Sequence, residues 1–92
     1  MRDSNIIFLH GWLFDRRIWC NLDKFFKNNF NIHMHDLPGY GSNSLSSMSA
    51  QKYCDNIFEK AEQDTTIVGY SYGGLLALNS FQNYQKNIKK LI

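Results

Sequence analysis

The sequence Gly-Tyr-Ser-Tyr-Gly at residues 69–73 follows an apolar run, Thr-Thr-Ile-Val at residues 65–68, and precedes a helix-like stretch, Leu-Leu-Ala-Leu at residues 75–78. A G-x-S-x-G pattern between a strand and a helix is typical of a nucleophile elbow, a sharp turn that exposes a serine hydroxyl. Gly69 and Gly73 are needed there because a Cβ at either position would collide with the neighbouring strand or helix. The pattern predicts Ser71 as a nucleophile in a strained conformation at a helix start. At that position the helix dipole and unpaired N–H groups favour the negative charge of an acyl-transfer intermediate.

Strand-like and helix-like segments alternate along the rest of the chain. Strands are predicted over residues 5–9, 31–36 and 65–68, and residues 87–92 look like the start of a fourth. Helices are predicted after the N-caps Asp15 and Ser49, and a third runs from the Ser71 turn to about Lys86. This alternation predicts an α/β fold: a partial sheet of about four parallel strands with flanking helices, in three α/β/α layers. Right-handed crossovers place the first strand between the second and the third.

Apolar residues recur at helical spacing in the first two helices, and both stripes are predicted to lie in the core. The first stripe comprises Ile18, Trp19, Leu22, Phe25 and Phe26, and the second comprises Ala50, Tyr53, Cys54, Ile57, Phe58 and Ala61. The two cysteines, Cys20 and Cys54, are expected to be reduced packing residues.

The composition excludes several classes of protein. The chain has 92 residues, of which 43% are hydrophobic and 15% aromatic, so it can form one small domain with a core. A net charge of +2 with both signs interspersed predicts no nucleic-acid partner, and the cluster of Lys86, Lys89 and Lys90 is interpreted as a solvated helix end. No stretch approaches transmembrane length and none has the pattern of a signal peptide, so we expect a cytoplasmic protein without a membrane partner.

Four segments occur in the order and spacing of the α/β-hydrolase superfamily: His-Gly-Trp at residues 10–12, Trp19, Asp-Leu-Pro-Gly-Tyr-Gly at residues 36–41, and Gly-Tyr-Ser-Tyr-Gly-Gly at residues 69–74. The chain most resembles the branch of pimeloyl-[acyl-carrier protein] methyl ester carboxylesterases of biotin synthesis. The resemblance implies a serine carboxylic-ester hydrolase that needs no cofactor or metal. Its implied substrate is a small acyl ester carried on acyl-carrier protein.

The resemblance covers nearly the whole chain but only the N-terminal part of such an enzyme, since a one-domain α/β enzyme commonly has about 200–250 residues. Residues 1–92 are therefore expected to lack the C-terminal strands, the lid and the triad aspartate and histidine, and to be inactive alone. Another serine esterase or thioesterase of the same fold and a non-catalytic truncated remnant are the alternatives. A binding module on this fold is disfavoured by the intact G-x-S-x-G.

The loop His10-Gly11-Trp12 directly follows the first buried strand, where the second half of an oxyanion hole is expected. The predicted donors are the backbone N–H groups of Trp12 and Tyr72. By the resemblance, the His10 ring braces this loop through hydrogen bonds and is not the catalytic base. Gly11, Gly69 and Gly73 are predicted to support the loop and the elbow.

Other residues that could be taken for functional groups have structural interpretations. Asp36, at the end of the second strand, is expected to cap the following turn rather than to serve as the triad acid. His33 and His35 share one face of a strand, but two ligands are too few for a metal, so packing at a sheet face or edge is expected. A bulky group beside the elbow either walls an acyl pocket or packs in the core: Trp12, Leu13, Phe14 and Tyr70.

Overall fold

A computed structural model describes residues 4–41, 43, 48–62 and 64–92. These residues form strands β1 (Ser4–Leu9), β2 (Phe30–His35), β3 (Thr65–Gly69) and β4 (Ile88–Leu91), and helices α1 (Asp23–Phe26), α2 (Ala50–Lys60) and α3 (Tyr72–Phe81), with a 3-10 turn at Arg16–Trp19. All strand pairs are parallel and their order is β2-β1-β3-β4, so the predicted α/β fold and the central place of the first strand are confirmed. Among the described residues, no helix has the length and apolar character needed to cross a bilayer.

Strand β1 is apolar over residues 6–9, because both of its faces are buried there. Ile7 and Leu9 belong to the core cluster shared with α2 and α3. Phe8 packs on the opposite face, where its ring centroid lies 5.0 Å from that of Trp19. A strand with two covered faces has no solvent side, and this explains the absence of polar alternation.

Helices α2 and α3 form the layer on the first of these faces. The Ser49 side chain accepts a 3.1 Å hydrogen bond from the Lys52 N–H, so the predicted N-cap of α2 is confirmed. The predicted α2 stripe is also confirmed, with Cys54 and Phe58 buried in the core. A hydrogen bond of 2.6 Å, donated by Ser80 Oγ to Asp55 Oδ1, joins the two helices.

The helix predicted after Asp15 is interrupted. Asp15 does cap the segment, but the chain forms the 3-10 turn and then only the single turn α1. Because a 3-10 helix has about three residues per turn, residues spaced for an α-helix no longer share one face. Ile18 and Phe25 are therefore 38% and 74% exposed, and their predicted place in the core is wrong.

Helix α3 ends at Phe81, well before the predicted Lys86. The residues after Phe81 leave the helix and return to the sheet. The Asn87 carbonyl accepts a 3.2 Å hydrogen bond from the Thr65 N–H at the start of β3. Lys89 and Lys90 consequently lie in β4, which corrects their interpretation as a helix end.

The two cysteines have different environments, and both are free thiols. Cys54 is completely buried, as predicted, and burial raises the pKa of its thiol to about 11. Cys20 is exposed because it follows the 3-10 turn instead of continuing a helix, so its prediction as a packing residue is wrong.

Candidate active site

Ser71 lies in the sharp turn between β3 and α3. Its backbone angles are φ 52° and ψ −111°, and positive φ is strained for a residue that has a Cβ. The side chain is exposed and forms no capping hydrogen bond with α3. Ser71 is therefore an exposed residue and not an ordinary helix-capping serine.

Two glycines allow the turn to pack directly on its neighbours. A Cβ on Gly69 would lie 2.6 Å from the backbone of α3, and a Cβ on Gly73 would lie 2.5 Å from the carbonyl oxygen of His10. The Tyr70 N–H also donates a 3.0 Å hydrogen bond to the Leu9 carbonyl. The turn that carries Ser71 is thus fixed against the end of β1.

The two predicted oxyanion donors lie on segments that contact each other. Tyr72 is the first residue of α3, so its N–H has no acceptor within the helix. Within residues 4–41, 43, 48–62 and 64–92, no backbone carbonyl accepts a hydrogen bond from the Trp12 or Tyr72 N–H. A Cβ on Gly11 would lie 2.8 Å from the Tyr70 ring, so the loop before Trp12 is packed against the turn.

His10 is fully buried and both of its ring nitrogens are used. Nε2 accepts a 2.9 Å hydrogen bond from the Leu37 N–H. A backbone N–H can only donate, so the ring hydrogen is assigned to Nδ1, which donates to the Gly11 carbonyl at 2.8 Å. The ring holds the loop in place, and neither nitrogen is left to accept the Ser71 proton.

Asp36 is engaged by Arg16. Its carboxylate accepts a 2.8 Å hydrogen bond from the Arg16 N–H and forms an ion pair with the Arg16 guanidinium. The same carboxylate lies against Gly41, where a Cβ would be 2.5 Å from its carbon. The Asn43 amide donates to the Asp36 carbonyl at 3.0 Å. Asp36 thus joins the 3-10 turn to the turn that follows β2.

The histidines of β2 contact polar side chains on neighbouring elements. His33 Nε2 lies 3.2 Å from Asn5 Oδ1, and His35 Nδ1 lies 3.0 Å from the Tyr53 hydroxyl on α2. Burial lowers the pKa of His35, the charge of His33 lowers it further, and Asp36 opposes both. No cluster of three candidate metal ligands occurs in the part of the chain that the structure describes.

The bulky residues beside the turn were expected either to wall an acyl pocket or to pack in the core. They do not pack in the core, so the second of these predictions is wrong. Four of them are between 48% and 74% exposed: Trp12, Leu13, Phe14 and Tyr70. They lie beyond the carboxyl ends of the strands, where no described element covers them. Leu75 and Leu78 on α3 are exposed as well, and the sequence carries no signal for this because apolar helix residues ordinarily face a core. We call Trp12, Leu13, Phe14 and Tyr70 the apolar rim of Ser71, because their loop and the Phe14 ring pack against Tyr70, the residue before the serine.

Comparison with known sequences agrees with this geometry. The sequence profile of the Alpha/beta hydrolase family matches residues 6–90. The pimeloyl-[acyl-carrier protein] methyl ester esterase of Wigglesworthia glossinidia brevipalpis is 38% identical over 89 residues, which cover 96% of this chain and 34% of that protein. The esterase of the same name from Yersinia enterocolitica is 32% identical over 92 residues, covering 98% and 35%. The chain therefore spans about a third of the length of these curated relatives.

Solved structures have the same arrangement of strands and helices. MenH from S. aureus matches with a TM-score of 0.82 and 30% identity over 99% of this chain and 37% of its own. Polyneuridine aldehyde esterase matches with a TM-score of 0.84 at 15% identity, over 99% of this chain and 39% of its own, which is a likeness of fold alone. With its parallel sheet, its strand-turn-helix at Ser71 and the profile match over most of its length, this chain belongs to the alpha/beta hydrolase family.

Proposed function

We propose that this chain carries the nucleophile and the oxyanion-binding groups of a serine carboxylic-ester hydrolase. The observation that carries the proposal is the state of Ser71, which is exposed, uncapped and held at positive φ at the start of α3. A serine hydroxyl in that position is open to a substrate carbonyl. The helix start adds a positive partial charge beside the developing oxyanion.

In the proposed reaction, Ser71 Oγ attacks the ester carbonyl, and the alcohol leaves as the acyl-enzyme forms. Water then attacks the acyl-enzyme and releases the acid, which regenerates the serine. The N–H groups of Trp12 and Tyr72 stabilise the oxyanion, and each such donor contributes about 3–4 kcal/mol to transition-state stabilisation. This chemistry needs no metal or cofactor.

The names of the relatives support pimeloyl-[acyl-carrier protein] methyl ester as the substrate. The apolar rim of Ser71 is suited to an aliphatic acyl chain, since apolar pockets commonly supply most of the contact with such a group. Another serine esterase or thioesterase of this fold would use Ser71 in the same way, so a comparison of substrates separates these alternatives.

We infer that the 92 residues alone are almost inactive, because they offer Ser71 no base. The sequence contains only three histidines. His10 has both nitrogens occupied, while His33 and His35 are hydrogen-bonded to Asn5 and Tyr53. A serine hydroxyl without a base is a weak nucleophile.

The experiment compares the isolated chain with a hybrid in which it is fused to the unmatched two thirds of the Wigglesworthia relative. After circular dichroism has established folding, each is assayed with p-nitrophenyl acetate and with the pimeloyl-[acyl-carrier protein] methyl ester. We expect turnover by the hybrid, a loss of at least about 1,000-fold in kcat for its Ser71→Ala variant, and background rates for the isolated chain. The matched control is Ser49→Ala, which removes a serine from the α2 cap.

Three results would contradict the proposal in different ways. A folded hybrid whose turnover survives Ser71→Ala would exclude Ser71 as the nucleophile. Ser71-dependent turnover by the isolated chain would exclude the inferred inactivity. If the hybrid hydrolyses p-nitrophenyl acetate but not the pimeloyl-[acyl-carrier protein] methyl ester, the proposed esterase chemistry stands and the proposed substrate is excluded.

A further inference from the structure

The loop that carries Trp12 contains a strained turn. The Phe14 N–H donates a 3.1 Å hydrogen bond to the Gly11 carbonyl, so Trp12 and Leu13 occupy the two central positions of the turn. Leu13 has a φ of 68°, which is unfavourable for a residue with a Cβ. Trp12 and Leu13 are 64% and 74% exposed, so packing in the interior does not hold them. A strained turn keeps its shape only where the structure around it is fixed.

Both ends of this loop are attached to two successive residues at the end of β2. We call residues 10–16 the oxyanion loop. At its start, His10 Nε2 accepts the hydrogen bond from the Leu37 N–H. At its end, the Arg16 N–H donates a 2.8 Å hydrogen bond to Asp36 Oδ1, and the Arg16 guanidinium pairs with Oδ2. The oxyanion loop is therefore closed on Asp36 and Leu37.

The Asp36 side of this attachment is buried and well supported. The Asp36 side chain is 3% exposed, whereas that of Arg16 is 49% exposed. The turn after Asp36 is closed by two hydrogen bonds: the Asn43 amide donates to the Asp36 carbonyl at 3.0 Å, and the Gly39 N–H donates to the Asn43 carbonyl at 2.7 Å. A carboxylate buried to this degree needs a charged or hydrogen-bonded partner, so its position determines where Arg16 lies.

We propose that Asp36 is a positioning residue for ester hydrolysis. Through Arg16 it holds the end of the oxyanion loop and thereby fixes the direction of the Trp12 N–H. The inference rests on the proposed function, in which that N–H stabilises the oxyanion. Because an oxyanion donor acts mainly in the transition state, its displacement lowers kcat with little effect on KM.

The first measurement uses the full 92-residue chain and needs no activity. The chain contains two tryptophans, so labelling with ¹⁵N-tryptophan gives two backbone amide signals, which a Trp12→Phe variant assigns. Relaxation of ¹⁵N gives an order parameter for each amide. We expect the Trp12 value to fall from about 0.85 in the parent chain to below about 0.6 in Asp36→Ala. Trp19 is the internal control, since its ring packs on Phe8, and its value should stay unchanged.

The second measurement uses the hybrid with the Wigglesworthia relative and p-nitrophenyl acetate. We expect Asp36→Ala to lower kcat about 100-fold and to change KM less than about threefold. Arg16→Gln removes the ion pair but keeps the backbone N–H, so it should lower kcat about tenfold. Arg16 is half exposed, and this variant decides both measurements if Asp36→Ala does not fold.

Two matched controls separate positioning from a general loss of stability. Arg17→Gln removes the neighbouring arginine, which pairs with Asp15 inside the oxyanion loop and not with β2. Asp55→Ala removes a carboxylate that accepts a hydrogen bond from Ser80 between α2 and α3. Both controls should leave kcat and the Trp12 order parameter unchanged.

Three results would overturn the inference. An unchanged Trp12 order parameter would show that the loop does not depend on Asp36. An equal fall at Trp12 and Trp19 would reveal general loosening. A mobile Trp12 amide with an unchanged kcat would separate the loop from catalysis. A hybrid without Ser71-dependent turnover would instead contradict the proposed function, and the order parameter would still decide whether Asp36 fixes the loop.

Discussion

His10 Nε2 accepts a 2.9 Å hydrogen bond from the backbone N–H of Leu37, and both residues are completely buried. This contact links the loop after β1, which carries Trp12, to the turn after β2. Because neither group can reach water, each is satisfied only by the other. The arrangement of the loop beside Ser71 therefore depends on one imidazole.

Replacing His10 with Phe is expected to destabilise the fold by about 1–3 kcal/mol, since an aromatic ring stays at the position while the Leu37 N–H loses its acceptor in the interior. Urea unfolding followed by circular dichroism measures the change. The matched control is His33→Phe, an exposed position that should shift the free energy of unfolding far less. If both variants lower the free energy of unfolding by the same amount, the buried hydrogen bond contributes no more to stability than the exposed His33.

A methyl group at Gly73 is expected to be poorly tolerated. The Cβ of Gly73→Ala would lie 2.5 Å from the His10 carbonyl oxygen, so β1 and α3 would have to separate. Overpacking of this kind costs about 1–3 kcal/mol even after the gain in helix propensity. In Gly74→Ala the same helix gains the same methyl group, but its nearest contact is 3.2 Å. We expect the urea midpoint to fall clearly for Gly73→Ala and little for Gly74→Ala. A common midpoint would contradict the close packing of the turn on β1.

The two thiols are expected to react at very different rates. Cys20 is exposed, while Cys54 is buried and burial raises the pKa of its thiol to about 11. At about pH 8 very little of Cys54 is thiolate, and the thiolate is the reactive form. Dithiobisnitrobenzoate should label one thiol quickly and the second only after urea is added. Cys20→Ser should remove the fast phase and Cys54→Ser should keep it. A fast phase that survives Cys20→Ser would show that Cys54 is accessible.

Stability is expected to fall as the pH is lowered towards about 5, in part because of His35. Burial lowers the pKa of His35 in the folded chain below its value in the unfolded chain, about 6.5. Between those two values the unfolded chain binds more protons, so His35 stabilises the fold above the unfolded pKa and this contribution is lost as the pH falls. The free energy of unfolding is measured in urea at about pH 7 and about pH 5. It should differ less between the two pH values for His35→Gln than for the parent chain. His33→Gln should have a smaller effect, because burial is the largest cause of the shift. An unchanged difference in His35→Gln would contradict this assignment.

Much of the fold could be predicted because its signals are local. The uninterrupted apolar run of β1, the capping serine before α2 and the stripe along α2 each depend on a few neighbouring residues. The central place of β1 follows from the handedness of its crossovers. The segment after Asp15 could not be predicted in this way, since the same apolar spacing was compatible with one long helix. In the structure this segment is divided into a 3-10 turn and α1, and Trp19 and Phe26 from these two pieces pack on Phe8.

At the candidate site, the chemical groups could be predicted but their surroundings could not. The pattern around Ser71 predicted the sharp turn, and the structure adds a positive φ and the absence of a capping bond. The partners of His10 and Asp36 lie 27 and 20 residues away along the chain, at Leu37 and Arg16. Local spacing carries no information about contacts at such separations.

By itself, the amino-acid sequence determined the alternation of strands and helices, the parallel sheet and the identity of the serine at its carboxyl edge. These follow from hydrophobic periodicity and from turns that only glycine permits. Only the tertiary structure decided that Trp12 and Tyr70 face solvent, that Asp36 pairs with Arg16, and that His10 has no free nitrogen. The physical reason is that exposure and hydrogen bonding depend on which distant elements cover a residue, and coverage is a property of the assembled layers.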